Sequence, residues 1–128
     1  MPVRTRRWND PKESGDGLRV LITRYRPRGL PKSQETWDEW IPQLGPSKEL
    51  LAAYKGKGGR PPIPWSAYRS TYLTEMRHEK QRIGELADKV AGGETVTLLC
   101  ASTCVDERRC HRSLLRGLIE SAAKRGSS

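Results

Sequence analysis

Thr95-Val96-Thr97-Leu98-Leu99-Cys100 is the stretch that decides the fold. It is short, uncharged, apolar and β-branched. Those are the marks of a strand buried on both faces rather than one alternating between core and solvent. Gly92-Gly93 stands before it as a helix stop. After it comes a polar loop, 101–109, and then a helix over Cys110–Lys124. That helix carries Leu114, Leu115, Leu118, Ile119 and Ala122 on its buried side.

Working back toward the N-terminus, Trp65, Tyr68, Tyr72, Met76, Ile83, Leu86 and Val90 follow three- and four-residue steps, with one seven-residue gap. This is the stripe of a long amphipathic helix, with Ser66 as its N-cap. Gly56 to Pro64 holds three Gly and three Pro and reads as a loop. Ser47 caps a short helix over Lys48–Tyr54. Ser33 is a candidate cap for another, with Trp37 and Trp40 on one face and Pro42 limiting its length. Leu18–Tyr25 reads as a second buried strand, stopped by Pro27 and Gly29. Asn9–Gly17 is a loop, and Val3–Trp8 alternates weakly like an edge strand. A strand–helix–strand crossover makes Leu18–Tyr25 and Thr95–Cys100 parallel neighbours. The expected fold is α/β: one domain over 1–128, with a small, mainly parallel sheet and helices packed against it. Its core spans roughly 3–122, and 123–128 form a tail.

Composition narrows the function classes. Hydrophobic residues make up 34% and charged residues 30%, so the core is modest; Phe is absent, and four Trp and four Tyr supply the aromatic bulk. No apolar run approaches the ~20 residues that span a bilayer. The segment Met1–Arg7 has no apolar stretch of the signal-peptide kind. These features predict a cytoplasmic protein without a membrane partner. The net charge is +9. Residues 1–32 hold nine basic and three acidic groups, residues 33–103 nine of each, and residues 104–128 six and three. The excess therefore lies in the two end segments. If they meet, they make one positive field suited to phosphate; the same charge also suits a merely solvated surface.

Sites in open parallel sheets form beyond the carboxyl ends of the strands. One strand end leads into Arg24-Tyr25-Arg26-Pro27-Arg28. The other leads, through a loop, to Cys110-His111-Arg112 at a helix start. Arg24, Arg26, Arg28 and Arg112 are the candidate anion-binding residues, with the amides of 110–112 as a cradle. His111, whose type titrates near neutrality, and Cys110 are the candidate catalytic groups. The expected partner is a phosphate-bearing small molecule or nucleic acid, and no cofactor is implied. Two alternatives stand beside this reading. One is a nucleic-acid-binding module without catalysis, with Trp37, Trp40 and Trp65 as stacking surfaces. The other is a zinc site of Cys100, Cys104, Cys110 and His111. Its Cys-x3-Cys-x5-Cys-His spacing is not that of a familiar finger, and adjacent Cys110 and His111 rarely aim at one centre from a helix start. No metal ligand is therefore assigned. The odd cysteine count predicts reduced thiols. Cys100 should be buried, Cys110 should stand near the mouth of the site and ionise more readily, and Cys104 should be the most mobile.

Arg19-Val20-Leu21-Ile22-Thr23-Arg24, Arg26-Pro27-Arg28-Gly29-Leu30, Trp40 with Gly45-Pro46-Ser47-Lys48-Glu49-Leu50, and Thr97-Leu98-Leu99 together resemble the YeaO-like family of uncharacterised domains, over roughly residues 3–122. Cys110-His111-Arg112 looks like the wider superfamily, the domain of unknown function 488. The resemblance implies a compact α/β domain and no particular reaction. Relatives of this kind often carry Asp where this chain has Thr23, and Trp where it has Arg26. A carboxylate with a role in those relatives would be missing here.

Overall fold

The computed structural model describes residues 3–56, 59–101 and 106–126. Among these residues four strands form one sheet: β1 (Val3–Arg7), β2 (Leu18–Leu21), β3 (Glu39–Trp40) and β4 (Val96–Cys100). Their order is β1-β4-β2-β3 and every pairing is parallel. Val96 lies opposite both Val3 and Leu18, so β4 is hydrogen-bonded on both sides, and all five of its residues are buried. The expected α/β fold and parallel neighbours are therefore present. β2 is shorter than the sequence suggests. The Ile22 amide still donates to Leu99 O at 3.0 Å, and the chain then leaves the sheet.

The helices are α1 (Lys48–Lys55), α2 (Trp65–Met76), α3 (Lys80–Ala91) and α4 (His111–Gly126). Ser47 caps α1, its hydroxyl accepting from the Leu50 amide at 3.1 Å. Glu75 holds that cap in place by accepting from the Ser47 amide at 2.9 Å and bonding its hydroxyl.

Three local expectations need correction. The long stripe is two helices, α2 and α3, joined by a single 3-10 turn at Arg77–Glu79. The seven-residue gap between Met76 and Ile83 was the sign of that break. Helix α2 starts at Trp65, not after a Ser66 cap: Pro64 stands in extended conformation before it and no side chain caps it. A proline of fixed φ ends the extended loop without needing a hydroxyl acceptor. Finally, Trp37 and Trp40 do not share a helix. Lys32–Gln34 makes no more than a 3-10 turn, and Trp40 lies in β3. Pairing with β2 wins there, because the Ile41 amide donates to Leu21 O at 2.9 Å and the Asp38 amide to Arg19 O at 2.8 Å.

Alternation along the strands sorts the two faces of the sheet. Val96 and Leu98 join Val20, Ile22, Tyr72, Leu115 and Ile119 in the main apolar cluster beneath the helices. Thr97 and Arg19, partners in the register, point the other way, and both are fully buried. Loops cover that second face. The Arg19 guanidinium bonds Asp16, Thr36 O at 2.7 Å and Asp10 O at 3.4 Å, and the Thr97 hydroxyl donates to Asp16 O at 2.7 Å. Asp16 also accepts from the Glu13 amide at 3.0 Å and pairs with Arg4 at 3.1 Å and Arg6 at 3.4 Å. Burial opposes its ionisation. The Glu13 amide and Arg19 outweigh that and hold its pKa below the usual value. Among the described residues, no helix is long and apolar enough to cross a membrane.

Candidate functional site

The carboxyl ends of β2 and β4 and the start of α4 do converge, and they open on a cleft of about 740 Å³. Its floor is Cys100, Cys110 and His111. One wall is aromatic, with Trp8, Tyr25, Tyr54 and Tyr68, and Arg24, Arg28, Lys55 and Arg109 add positive charge. Arg28 comes from the basic N-terminal segment and Arg109 from the basic C-terminal one, so the two charged ends share this cleft.

His111 is locked at the floor. It is buried, and its Nε2 lies 2.7 Å from Ile22 O. A carbonyl can only accept, so Nε2 carries the proton and donates, and Nδ1 keeps its lone pair. That Nδ1 stands 3.9 Å from both Cys100 Sγ and Cys110 Sγ. Tyr72 meets the ring edge-on at 5.5 Å. Burial, reinforced by Arg112, lowers the His111 pKa to about 4, even though the bond to Ile22 favours the charged form. The imidazole is thus neutral near pH 7, not the half-titrated group its type suggests.

The two described thiol positions are both buried. Cys100 Sγ and Cys110 Sγ are 3.2 Å apart. Burial pushes the Cys100 thiol up to about 11, against the opposing Ala101 amide and Arg112. Cys100 is a free thiol, whereas Cys110 is disulfide-bonded, so the expectation of reduced thiols fails at Cys110. Cys110 lines the cleft, but at its floor and as buried as Cys100, not near the mouth, and in its disulfide it has no thiol to ionise, so both expectations for it are corrected. The cause is local backbone: Cys110 is extended (φ −136, ψ 142) and folds its side chain inward just before α4 begins. Cys104 lies outside the described residues.

The arginines divide by what holds them. Arg24 lines the cleft, with its Nε donating to Pro46 O at 2.9 Å and its Nη2 to Gly45 O at 3.2 Å. Those bonds need a close backbone approach: a Cβ on Gly45 would stand 2.6 Å from Arg24 N. Arg26 turns away to Glu35 at 2.7 Å and lies over Trp37 at 5.7 Å. Arg28 is exposed at the cleft, and Arg112 is buried beneath its floor. Thr23 lines the cleft and donates its hydroxyl to Tyr25 O at 2.7 Å, which shapes the turn. Of the three tryptophans considered as stacking surfaces, Trp37 packs edge-on against Trp8 at 6.5 Å and Trp65 stacks on Tyr68 at 5.3 Å. Trp40 is half-exposed and donates its Nε1 proton to Thr23 O at 2.8 Å.

Sequence reasoning missed Lys55, Arg109, Tyr54 and Trp8 as cleft residues. The signal for Arg109 was its place beside Cys110. For Lys55 and Tyr54, only the packing of α1 against the strand-end loops could reveal it.

A parallel α/β sheet with an aromatic, basic cleft at its carboxyl rim and a Cys-His floor defines the class. The chain belongs to the DUF488 family: residues 3–123 match the family model DUF488-N3a, described as "Active DUF488-N3 subclade". It is 35% identical over 99 residues to the Escherichia coli protein named "Uncharacterized protein YeaO", covering 77% of this chain and 82% of that one. An uncharacterized protein of Mycobacterium tuberculosis is 31% identical over 117 residues, 91% of this chain and 92% of its own. No solved structure matches the chain.

Proposed function

We propose that the cleft binds a phosphate-bearing ligand of nucleotide type. The observation that carries this is the composition of one cavity. Tyr54, Tyr25 and Trp8 offer ring faces and edges for a planar base, with Tyr68 buried behind Tyr54, and Arg28, Lys55 and Arg109 lie within reach of the phosphate. Arg24 shapes the cleft, since two of its nitrogens already serve carbonyls. A volume of about 740 Å³ suits a small molecule of this size. The word "Active" in the family description accords with a working cleft, and the Thr23 departure does not remove the cavity. Binding is better supported than proton transfer by His111, whose Nε2 proton is committed to Ile22 and whose pKa is depressed.

Calorimetric titration with nucleoside mono- and diphosphates, and with inorganic phosphate alone, tests the reading. Nucleotides should bind more tightly than phosphate. Affinity should fall as salt rises, because rim charges carry part of the attraction. Arg28→Ala combined with Lys55→Ala should weaken nucleotide binding about tenfold, equivalent to ~1.4 kcal/mol. Absence of saturable nucleotide binding, or an affinity indifferent to both salt and the double substitution, would sink the proposal.

A further inference from the structure

We propose that the reduced protein holds one thiophilic divalent cation of the zinc class at the cleft floor, through Cys100 Sγ, Cys110 Sγ and His111 Nδ1. The three atoms lie within 4.8 Å of one another, and all three residues are buried. Proximity alone would be weak; the histidine supplies the second observation. Its Nε2 proton is spent on Ile22 O, which fixes the tautomer and aims the Nδ1 lone pair between the sulfurs. A ligating imidazole normally has its other nitrogen anchored to a carbonyl or carboxylate in this way.

The sequence argument against this site was that neighbouring residues at a helix start diverge. Here they do not, because Cys110 is extended and His111 is the first helical residue, and their ligand atoms meet at 3.9 Å. The remaining fit is a matter of tenths of an ångström. Tetrahedral zinc, with Zn–S of ~2.3 Å and Zn–N of ~2.0–2.1 Å, sets sulfurs about 3.8 Å apart and sulfur to nitrogen about 3.6 Å apart. The observed 3.2 and 3.9 Å bracket those values, and side-chain torsions close the difference.

Charge also balances. Two thiolates and a divalent cation sum to zero, which a buried site beside Arg112 tolerates far better than bare thiolates. Three protein ligands leave one position, and because all three residues line the cleft, that position opens into it. This is the ligand count of zinc sites that accept an outside ligand rather than of closed structural ones.

The Cys110 disulfide must open first. A water-soluble phosphine does this without competing as a thiol. Phosphorus takes the oxygen of one water to become the phosphine oxide, and the two sulfurs take its two hydrogens. The metal then displaces the protons of the Cys100 and Cys110 thiols.

The test is titration of phosphine-reduced, full-length protein with cobalt(II). Expected are one equivalent bound, thiolate-to-cobalt charge transfer, about two protons released per metal, and loss of the colour when zinc is added. Unreduced protein should show none of this. Cys100→Ser and His111→Asn should each weaken binding at least tenfold. Should either variant fail to fold, metal protection of Cys100 and Cys110 against alkylation in the unmodified sequence, mapped by peptide, decides the matter. Reduced protein without charge transfer, or alkylation unaffected by zinc, overturns the proposal. So does a cobalt spectrum that survives both substitutions. The nucleotide titration is run metal-free, so the two readings fail separately.

Discussion

On one face of β4, Val96 and Leu98 meet helices; on the other, Thr97 and the neighbouring Arg19 meet loops. The helical face is held by apolar burial, which is non-directional and tolerates slack. The loop face is held by directed bonds, with a fully buried guanidinium at their centre and Asp16 beside it. A layer without helices buries Leu21 and Leu99 but still has many backbone groups to satisfy. Arg19 answers that need, since one planar fork can serve a carboxylate and two carbonyls at once. Much of the basic N-terminal segment is spent in this way. Arg4, Arg6, Arg7 and Arg19 all pair with Asp10, Glu13 or Asp16, and so contribute less to the field of the cleft than their number suggests.

The largest effect should come from Arg19→Met. The substitution takes the buried partner from Asp16, which keeps Arg4 and Arg6, and the donors from Thr36 O and Asp10 O, at a cost of about 3–5 kcal/mol. Leu98→Ala on the opposite face should cost about 2–5 kcal/mol through a cavity. Denaturant midpoints measure both. The contrast between the faces collapses if Arg19→Met costs under ~1 kcal/mol, the range of a surface pair.

How much of this was legible beforehand depends on the kind of force involved. The central strand, the parallel pairing, the Ser47 cap and the convergence of two strand ends with a helix start all follow from local pattern. The charged face does not. Nothing in Asp16-Gly17-Leu18-Arg19 says that this arginine, in a run otherwise apolar, points inward. The sign was there in retrospect: in β2 a charged residue stands where a strand buried on both faces should carry an apolar one. The floor of the cleft was half legible. Its residues were named, but the inward turn of Cys110 and the neutral state of His111 are products of burial, which a sequence pattern does not report.

A smaller effect separates the two faces by acidity. Asp10 and Asp16 both have lowered pKa values; burial opposes ionisation in each, and hydrogen bonds with Arg7, and with the Glu13 amide and Arg19, overcome it. A carboxylate depressed in the folded state contributes stability above its unfolded pKa, about 3.9. That contribution is lost as pH falls through the lower folded value. The unfolding free energy should therefore decline below about pH 4, and the cost of Arg19→Met should shrink with it as Asp16 becomes neutral. The cost of Leu98→Ala should stay level over the same range. Unfolding curves between neutrality and strong acid check this, and parallel acid responses of the two variants would contradict it.

The smallest effect sharpens the comparison within the loop layer itself. Arg26 and Arg19 are both arginines paired with a carboxylate in loop surroundings. Arg19 is fully buried, whereas the Arg26 and Glu35 side chains keep 30% and 23% exposure. Water and ions screen the second pair, so its Coulomb attraction is offset by the entropy of holding two long side chains. The guanidinium also lies over Trp37, an exposed-site contact worth about 0.5–1 kcal/mol. Arg26→Ala should thus cost about 0.5–1.5 kcal/mol in all, several-fold less than Arg19→Met, and a high-salt buffer should narrow the gap between Arg26→Ala and the unmodified protein. Lys in place of Arg26 should recover part of the loss, because charge is kept while the planar stacking is weakened. Equal costs for Arg26→Ala and Arg19→Met would mean that burial is not what distinguishes the two pairs, and the account of the loop face would have to rest on the backbone bonds alone.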